Sequence, residues 1–229
     1  MTAQEPAYVH VLALSIEPTW RGRPVEDRAV DLADLSAAVA RADGQVRTLS
    51  YTSIGLEPGV DLLLWRTGPA VEALETAAAA VLASRMGPWL RVRHALLGRT
   101  APSQYVTAPS DQEAGITRDG SGRYLVVYPF TKSADWYLLS REARQGVMNE
   151  HMRVGRGYPS VRQALAYSFG LDDQDFIVAY ETDDLAAFGD LVHELRATES
   201  RRSTVRDTPL LVGVRRSLDE LPGLLGAAR

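Results

Sequence analysis

Hydrophobic and polar positions change their period several times along this chain, and each change marks an element. Residues 8–14 alternate as a strand does, and a turn follows around 20–24. Residues 31–42 bring Leu32, Leu35, Val39 and Ala40 back at helical spacing, which predicts an amphipathic helix. Residues 46–51 and 60–66 read as strands, separated by Gly55 and the Pro58–Gly59 turn. An alanine-rich helix over 69–86 carries Val71, Leu74, Ala78 and Leu82 on one side, and 88–97 closes the series as a strand or irregular edge. The order is β-α-β-β-α-β.

Residues 101–122, dense in Pro, Ser, Gly and Asp, interrupt this pattern and read as a linker or long loop. Beyond them a strand is predicted at 123–130, then a long helix at about 135–154 with Asp135 as its cap, then a strand at 161–169. Leu171, Asp172 and Asp173 suit a hairpin turn before a strand at 174–181, a helix at 184–197 and a last strand at 209–215. The element order repeats although the residues do not. The expectation is an α+β chain of two tandem ferredoxin-like halves, 1–100 and 123–217, with 218–229 as a loose end.

Composition narrows the class of function. A chain of 229 residues can bury a sizeable core, as one domain or two small ones. Net charge −4 and a pI near 5.6 argue against nucleic acid or an anionic membrane as the main partner. With no cysteine there is no disulfide, thiolate ligand or cysteine nucleophile. The opening MTAQEPAYVHVLAL lacks a secretory pattern, and the longest apolar run, 76–83, is too short to cross a bilayer. A cytoplasmic protein with no membrane span is expected.

The central stretch, 124–176, holds the candidate chemistry. Tyr128 sits on a strand, Lys132 follows four residues later, and His151 lies on the next helix. Lys132 is the only lysine among the 25 lysines and arginines. The series Tyr128-Pro129-x-x-Lys132, Asp135-Trp136-Tyr137-Leu138-Leu139, Glu150-His151, Gly155-Arg156-x-Tyr158 and Gly170-Leu171-Asp172-Asp173 resembles the chlorite dismutase family. That family includes the coproheme decarboxylases of bacterial haem synthesis. The resemblance spans about 103–213; the N-terminal half matches only in element order. It implies an α/β barrel, haem bound by the C-terminal half, and a homo-oligomer, usually a pentamer.

The resemblance also implies roles. His151 matches the proximal haem ligand, since a neutral imidazole donates a lone pair to iron while its other N–H needs an acceptor. Glu199 falls where the chlorite dismutases place that acceptor. Trp136 matches the proximal tryptophan, and Lys132 the partner of a porphyrin propionate. Tyr128 matches the tyrosine that, in the decarboxylases, is oxidised to a radical and takes a hydrogen from the propionate β-carbon. Loss of carbon dioxide and an electron then leaves a vinyl group, with hydrogen peroxide as oxidant and the porphyrin as both substrate and redox centre.

The distal position separates the family's two activities. Chlorite dismutases carry an arginine there, whereas one alignment of this chain gives Gln163 and another Ala164. Arg162 is adjacent, but strand alternation points it to the opposite face. Chlorite dismutation is therefore disfavoured. Where actinobacterial decarboxylases place a distal histidine, this chain has Ser103-Gln104-Tyr105, with Ser103 and Tyr105 as candidate cofactor contacts. Ser200 or Ser203 stands in for a propionate-binding serine. The expected activity is peroxide-dependent decarboxylation of iron coproporphyrin III to haem b. The alternatives are a family haem enzyme with another substrate, a non-catalytic haem carrier, and a cofactor-free dimeric α/β-barrel protein.

Overall fold

The computed structural model describes residues 8–42, 44–105 and 120–227, so most of the expected linker (106–119) and the last two residues lie outside the described residues. The chain divides into two compact units, residues 1–99 with 213–229, and residues 100–212. Both mix helices with antiparallel strands, as the α+β reading expects.

In the first unit the order is β1 (Tyr8–Ile16), α1 (Val25–Ala40), β2 (Arg47–Glu57), β3 (Val60–Gly68), α2 (Val71–Leu82) and β4 (Leu90–Arg99). β1 pairs antiparallel with β3 and β4, and β3 pairs with β2, so the strands run β4-β1-β3-β2. Helix α1 starts earlier than its apolar spacing predicts. Pro24 occupies its N-cap, and Glu26 and Asp27 in the first turn favour the positive helix end. Leu32 and Leu35 of α1 pack on Leu12, Leu14, Leu62 and Leu64 of the sheet, with Trp20 and Met86 filling the edges. Asp31, also buried, is satisfied by Trp20 Nε1 and Arg23 Nε, both at 3.1 Å.

The second unit contains β5 (Tyr124–Lys132), α3 (Ala134–Leu138), α4 (Arg141–Arg156), β6 (Arg162–Tyr167), β7 (Phe176–Thr182), α5 (Leu185–Arg196) and β8 (Thr204–Arg206). β7 pairs antiparallel with both β5 and β6. The expected single helix at 135–154 is two helices. Leu139 and Ser140 are extended, and Ser140 Oγ accepts the Ala143 N–H at 3.2 Å to start α4. Asp135 is not a cap; it lies in the first turn of α3, whose N-cap is Ser133. Asp184 does cap its helix, accepting from Ala186 and Ala187.

The register of this sheet sorts its side chains. Val126, Tyr128 and Phe130 lie opposite Tyr180, Val178 and Phe176, which lie opposite Gln163, Leu165 and Tyr167, all on one face. That face packs against Phe188 and Leu191 of α5 and Val154 of α4. The opposite face carries Leu125, Val127, Ala164, Ala166, Ile177 and Ala179, all buried. Glu181 lies there too, fully buried, and accepts from Arg162 Nη2 and the Gly122 N–H, each at 2.7 Å. A Cβ at Gly122 would stand 2.3 Å from Glu181 Cγ, so this turn requires glycine.

The chain ends differently from the expectation. In β9 (Leu211–Arg215), residues 211–212 fall with the second unit and 213–215 with the first, where Thr52 pairs with Val214 and Tyr51 with Arg215. Residues 218–227 are not a loose end. Leu218, Leu221, Leu225 and Ala227 are buried in the first unit's core, and Arg28 Nη1 donates to the Leu225 carbonyl at 2.9 Å. The apolar spacing of the leucines supplies the burial, and a capping box between Ser217 and Glu220 starts the turn.

Candidate functional site

The helix-facing side of the second unit gathers several of the residues singled out above. Helix α4 places His151, partly buried, on the face it shares with Val147 and Val154. None of the helix's sixteen residues is fully buried. Leu165 stays 39% exposed on the sheet face shared with Tyr128, and the floor around it is apolar. A flat apolar ligand has a surface to cover here.

His151 Nδ1 lies 3.0 Å from Ser200 Oγ, and Ser200 Oγ lies 3.1 Å from Thr198 Oγ1. Thr198 spends its only hydroxyl proton on the Leu195 carbonyl, at 2.7 Å. Ser200 must then donate to Thr198 and accept from His151. This order assigns the imidazole proton to Nδ1 and leaves the Nε2 lone pair available to a metal. Burial, followed by the nearby Lys132 ammonium, lowers the His151 pKa to about 4, so the ring is neutral near pH 7.

The acceptor is therefore Ser200 and not Glu199. Glu199 opens a short 3-10 turn with its carboxylate in solvent, 3.3 Å from Arg202 Nη1, while its N–H donates to Glu150 Oε2. The next position turns inward, and Ser200 is buried.

Lys132 Nζ donates to the Ser200 carbonyl at 2.8 Å and to Thr204 Oγ1 at 3.1 Å, and stands 4.8 Å from the centre of the Trp136 ring. Burial and Arg201 lower its pKa to about 8. One of its three N–H groups stays uncommitted in this arrangement. Trp136 is buried beneath it. Lys132, Trp136, His151 and Ser200 thus form one connected group.

Tyr128 lies on the same sheet face, its ring stacked 6.1 Å from that of Tyr180. The Tyr128 and Tyr180 hydroxyls share a hydrogen bond. Burial raises the Tyr128 pKa, and Arg196 and Arg201 partly oppose this; the phenol is neutral. Gln163 is partly buried on this face in the row of Tyr180 and Val126. Ala164 points to the other face, as does Arg162, held by Glu181.

Ser103 and Tyr105 lie nearer the start of α4. Ser103 Oγ accepts the Tyr105 N–H at 3.2 Å, and the Tyr105 carbonyl accepts from Gln145 Nε2 at 3.3 Å. No contact of either with His151, Lys132 or Tyr128 occurs among the described residues. The residues that the sequence did not single out here are Tyr180, Thr198, Thr204 and Arg201. Arg201 pairs with Asp207 at 2.7 Å. Chain proximity to Glu199 pointed towards Thr198, Arg201 and Thr204 only, and no sequence signal pointed towards Tyr180.

The arrangement can ligate a metal through Nε2 and offer cations to carboxylates beside an oxidisable phenol. The chlorite dismutase family model matches residues 28–216. The chain is 31% identical over 225 residues to the coproheme decarboxylase of Mycolicibacterium smegmatis, covering 93% of each. It is 28% identical to that of Staphylococcus carnosus, covering 80% of each. The structure of the chlorite dismutase of Candidatus Nitrospira defluvii in complex with imidazole superposes with a TM-score of 0.88 at 28% identity, covering 97% of this chain and 95% of that one. With a family model spanning most of its length and a relative aligned almost end to end, this chain belongs to the chlorite dismutase family.

Proposed function

We propose that this chain binds iron coproporphyrin III through His151 Nε2 and converts it to haem b by peroxide-dependent oxidative decarboxylation. The observation that carries the reading is the His151–Ser200–Thr198 hydrogen-bond series, which leaves Nε2 unprotonated beside Lys132 and on the sheet side that bears Tyr128. The apolar floor around Leu165 and Val178 suits the macrocycle, and Lys132 with Arg201 suits its propionates. In support of the wider architecture, the strand order β4-β1-β3-β2 and the central place of β7 agree with two ferredoxin-like halves.

When bound, the iron porphyrin supplies the oxidising power on meeting hydrogen peroxide. Tyr128 then loses an electron and its hydroxyl proton, with the hydrogen-bonded Tyr180 beside it. Tyr128 Oη takes a hydrogen atom from the propionate β-carbon and is restored. With one further electron lost from that β-carbon radical, the bond between the neighbouring α-carbon and the carboxylate breaks, its electron pair forms the C=C bond, and carbon dioxide leaves behind a vinyl group. Each vinyl group formed consumes two electrons' worth of oxidant, reducing one peroxide to two waters. Lys132 fixes the carboxylate, because a misplacement of about 1 Å can cost on the order of a hundredfold in rate.

Gln163 presents no cation to chlorite, and Arg162 is committed to Glu181, which supports decarboxylation over chlorite cleavage. The test is incubation with iron coproporphyrin III and peroxide, followed by mass spectrometry. Wild type yields the singly and then doubly decarboxylated porphyrin; Tyr128→Phe binds the substrate but is slower by orders of magnitude. Equal turnover by Tyr128→Phe would remove Tyr128 from the mechanism. A wild type that binds the porphyrin without product, or evolves oxygen rapidly from chlorite, would overturn the assignment.

A further inference from the structure

The first unit contains a charged group that the porphyrin site does not use. Arg66, on β3, is 1% exposed, and none of its three guanidinium nitrogens has a hydrogen-bond partner among the described residues. Its neighbour across the sheet, His10 on β1, also has a buried Nδ1 without a partner. The register puts His10, Arg66 and Thr48 in one row, on the face that carries Leu12, Leu14, Leu62 and Leu64 against the helices. The neighbouring helix α2 is rich in alanine, whose short side chains reach least towards the sheet.

A buried guanidinium with five unmet donors is among the most unfavourable groups a core can hold. Proteins offset such a group with a carboxylate, a water cluster or a bound anion, and no side-chain carboxylate pairs with Arg66 among the described residues. Burial alone lowers its pKa, to about 10, so it stays charged at neutral pH. His10, by burial and by the neighbouring Arg66 charge, is lowered to about 4 and stays neutral. One positive charge is therefore to be balanced, which fits a monoanion; a phosphate dianion would leave a buried negative excess. The planar fork of an arginine matches two coplanar oxygens.

We propose that Arg66, with His10 and Thr48 beside it, binds a small carboxylate-type monoanion, of the size of formate or acetate. His10 and Thr48 flank the buried Arg66 in this row and are themselves only partly buried. The neutral imidazole donates to the anion's free edge, and the guanidinium takes the two oxygens. This site is independent of the porphyrin reading, since its residues all belong to the first unit.

The test is titration of the porphyrin-free wild-type protein with sodium formate and sodium acetate, by calorimetry and by ¹³C-formate NMR. One saturable site per chain is expected, with acetate displacing formate and with chloride and phosphate weaker. Arg66→Met should bind formate about tenfold or more weakly, the loss expected for charge-assisted hydrogen bonds. The Arg66 ¹⁵Nε resonance of the wild type should shift along the same saturation curve, which keeps the test decisive if Arg66→Met does not fold. Absence of saturable formate binding, undiminished binding by Arg66→Met, or an Arg66 resonance that does not move while formate binds would each overturn the proposal.

Discussion

A serine hydroxyl, not a carboxylate, accepts from the His151 N–H, and the difference is chemical. An anionic acceptor would make the imidazole a stronger donor to iron, whereas a neutral hydroxyl that passes its own proton to Thr198 leaves it an ordinary one. Ser200→Ala should leave the Nδ1–H without its acceptor, costing about 1–3 kcal/mol of stability. Thermal unfolding measures that loss, and the iron–histidine stretching frequency of the ferrous haem complex should fall; an unchanged frequency would show that Ser200 does not set the ligand. Proton competition gives a second expectation. The folded His151 pKa, about 4, lies below the ordinary 6.5, so between those values the unfolded chain binds more protons. Stability from this group is present above pH 6.5 and is lost as the pH falls towards 4. His10 has the same shift and steepens the fall. Porphyrin should accordingly stay ligated well below pH 6.5, which a Soret titration follows; release centred at pH 6.5 would contradict a buried, neutral His151.

At the scale of elements, the junction between α3 and α4 positions the chemistry. Were the helix continuous from Asp135, Trp136 and His151 would be fixed on one rod; the extended Leu139–Ser140 step lets Trp136 lie under Lys132 while α4 sets His151 separately. Ser140 is the hydroxyl that starts α4, so Ser140→Ala should cost about 1 kcal/mol, while Ser140→Asp should restore most of it. Chemical denaturation of the three proteins checks this, and no loss in Ser140→Ala would mean the break is held by something else. The sequence reading missed the break because Trp136, Leu139, Val147 and Met148 satisfy a helical period across it, and periodicity alone cannot see one extended step. The strands were more legible. Alternation at 124–130 and 162–167 correctly separated Gln163 from Arg162, since facing is fixed by the period of two. Glu199, placed by the family resemblance rather than by alternation, shows another limit: in a 3-10 turn the inward residue depends on where the turn begins, which no local pattern dictates.

For the whole molecule, the element order in both parts and the motif series around Tyr128 and His151 were readable, because each rests on local spacing. What was not readable rests on contacts between residues far apart in sequence. Arg66 looked like any strand-end arginine until the register set it inside a core. The chain end looked like a short polar-flanked tail, yet its leucines close the first unit. Leu221 is 3% exposed, whereas Leu224 on the same turn is 44% exposed. Removal of a buried leucine side chain leaves a cavity and typically costs about 2–5 kcal/mol, while an exposed one changes little. Leu221→Ala should therefore lower the midpoint of thermal unfolding by several degrees, with Leu224→Ala close to wild type. Truncation after Ser217 removes Leu218, Leu221, Leu225 and Ala227 together, along with the Leu225 carbonyl that Arg28 caps. That loss approaches the total stability of an ordinary domain, so the truncated protein should be largely unfolded in its first unit. Hydrogen exchange reports the result directly. Amides of β1 and β3 should lose protection in the truncated chain, and retained protection there would show that the end segment only rests on a core already complete without it.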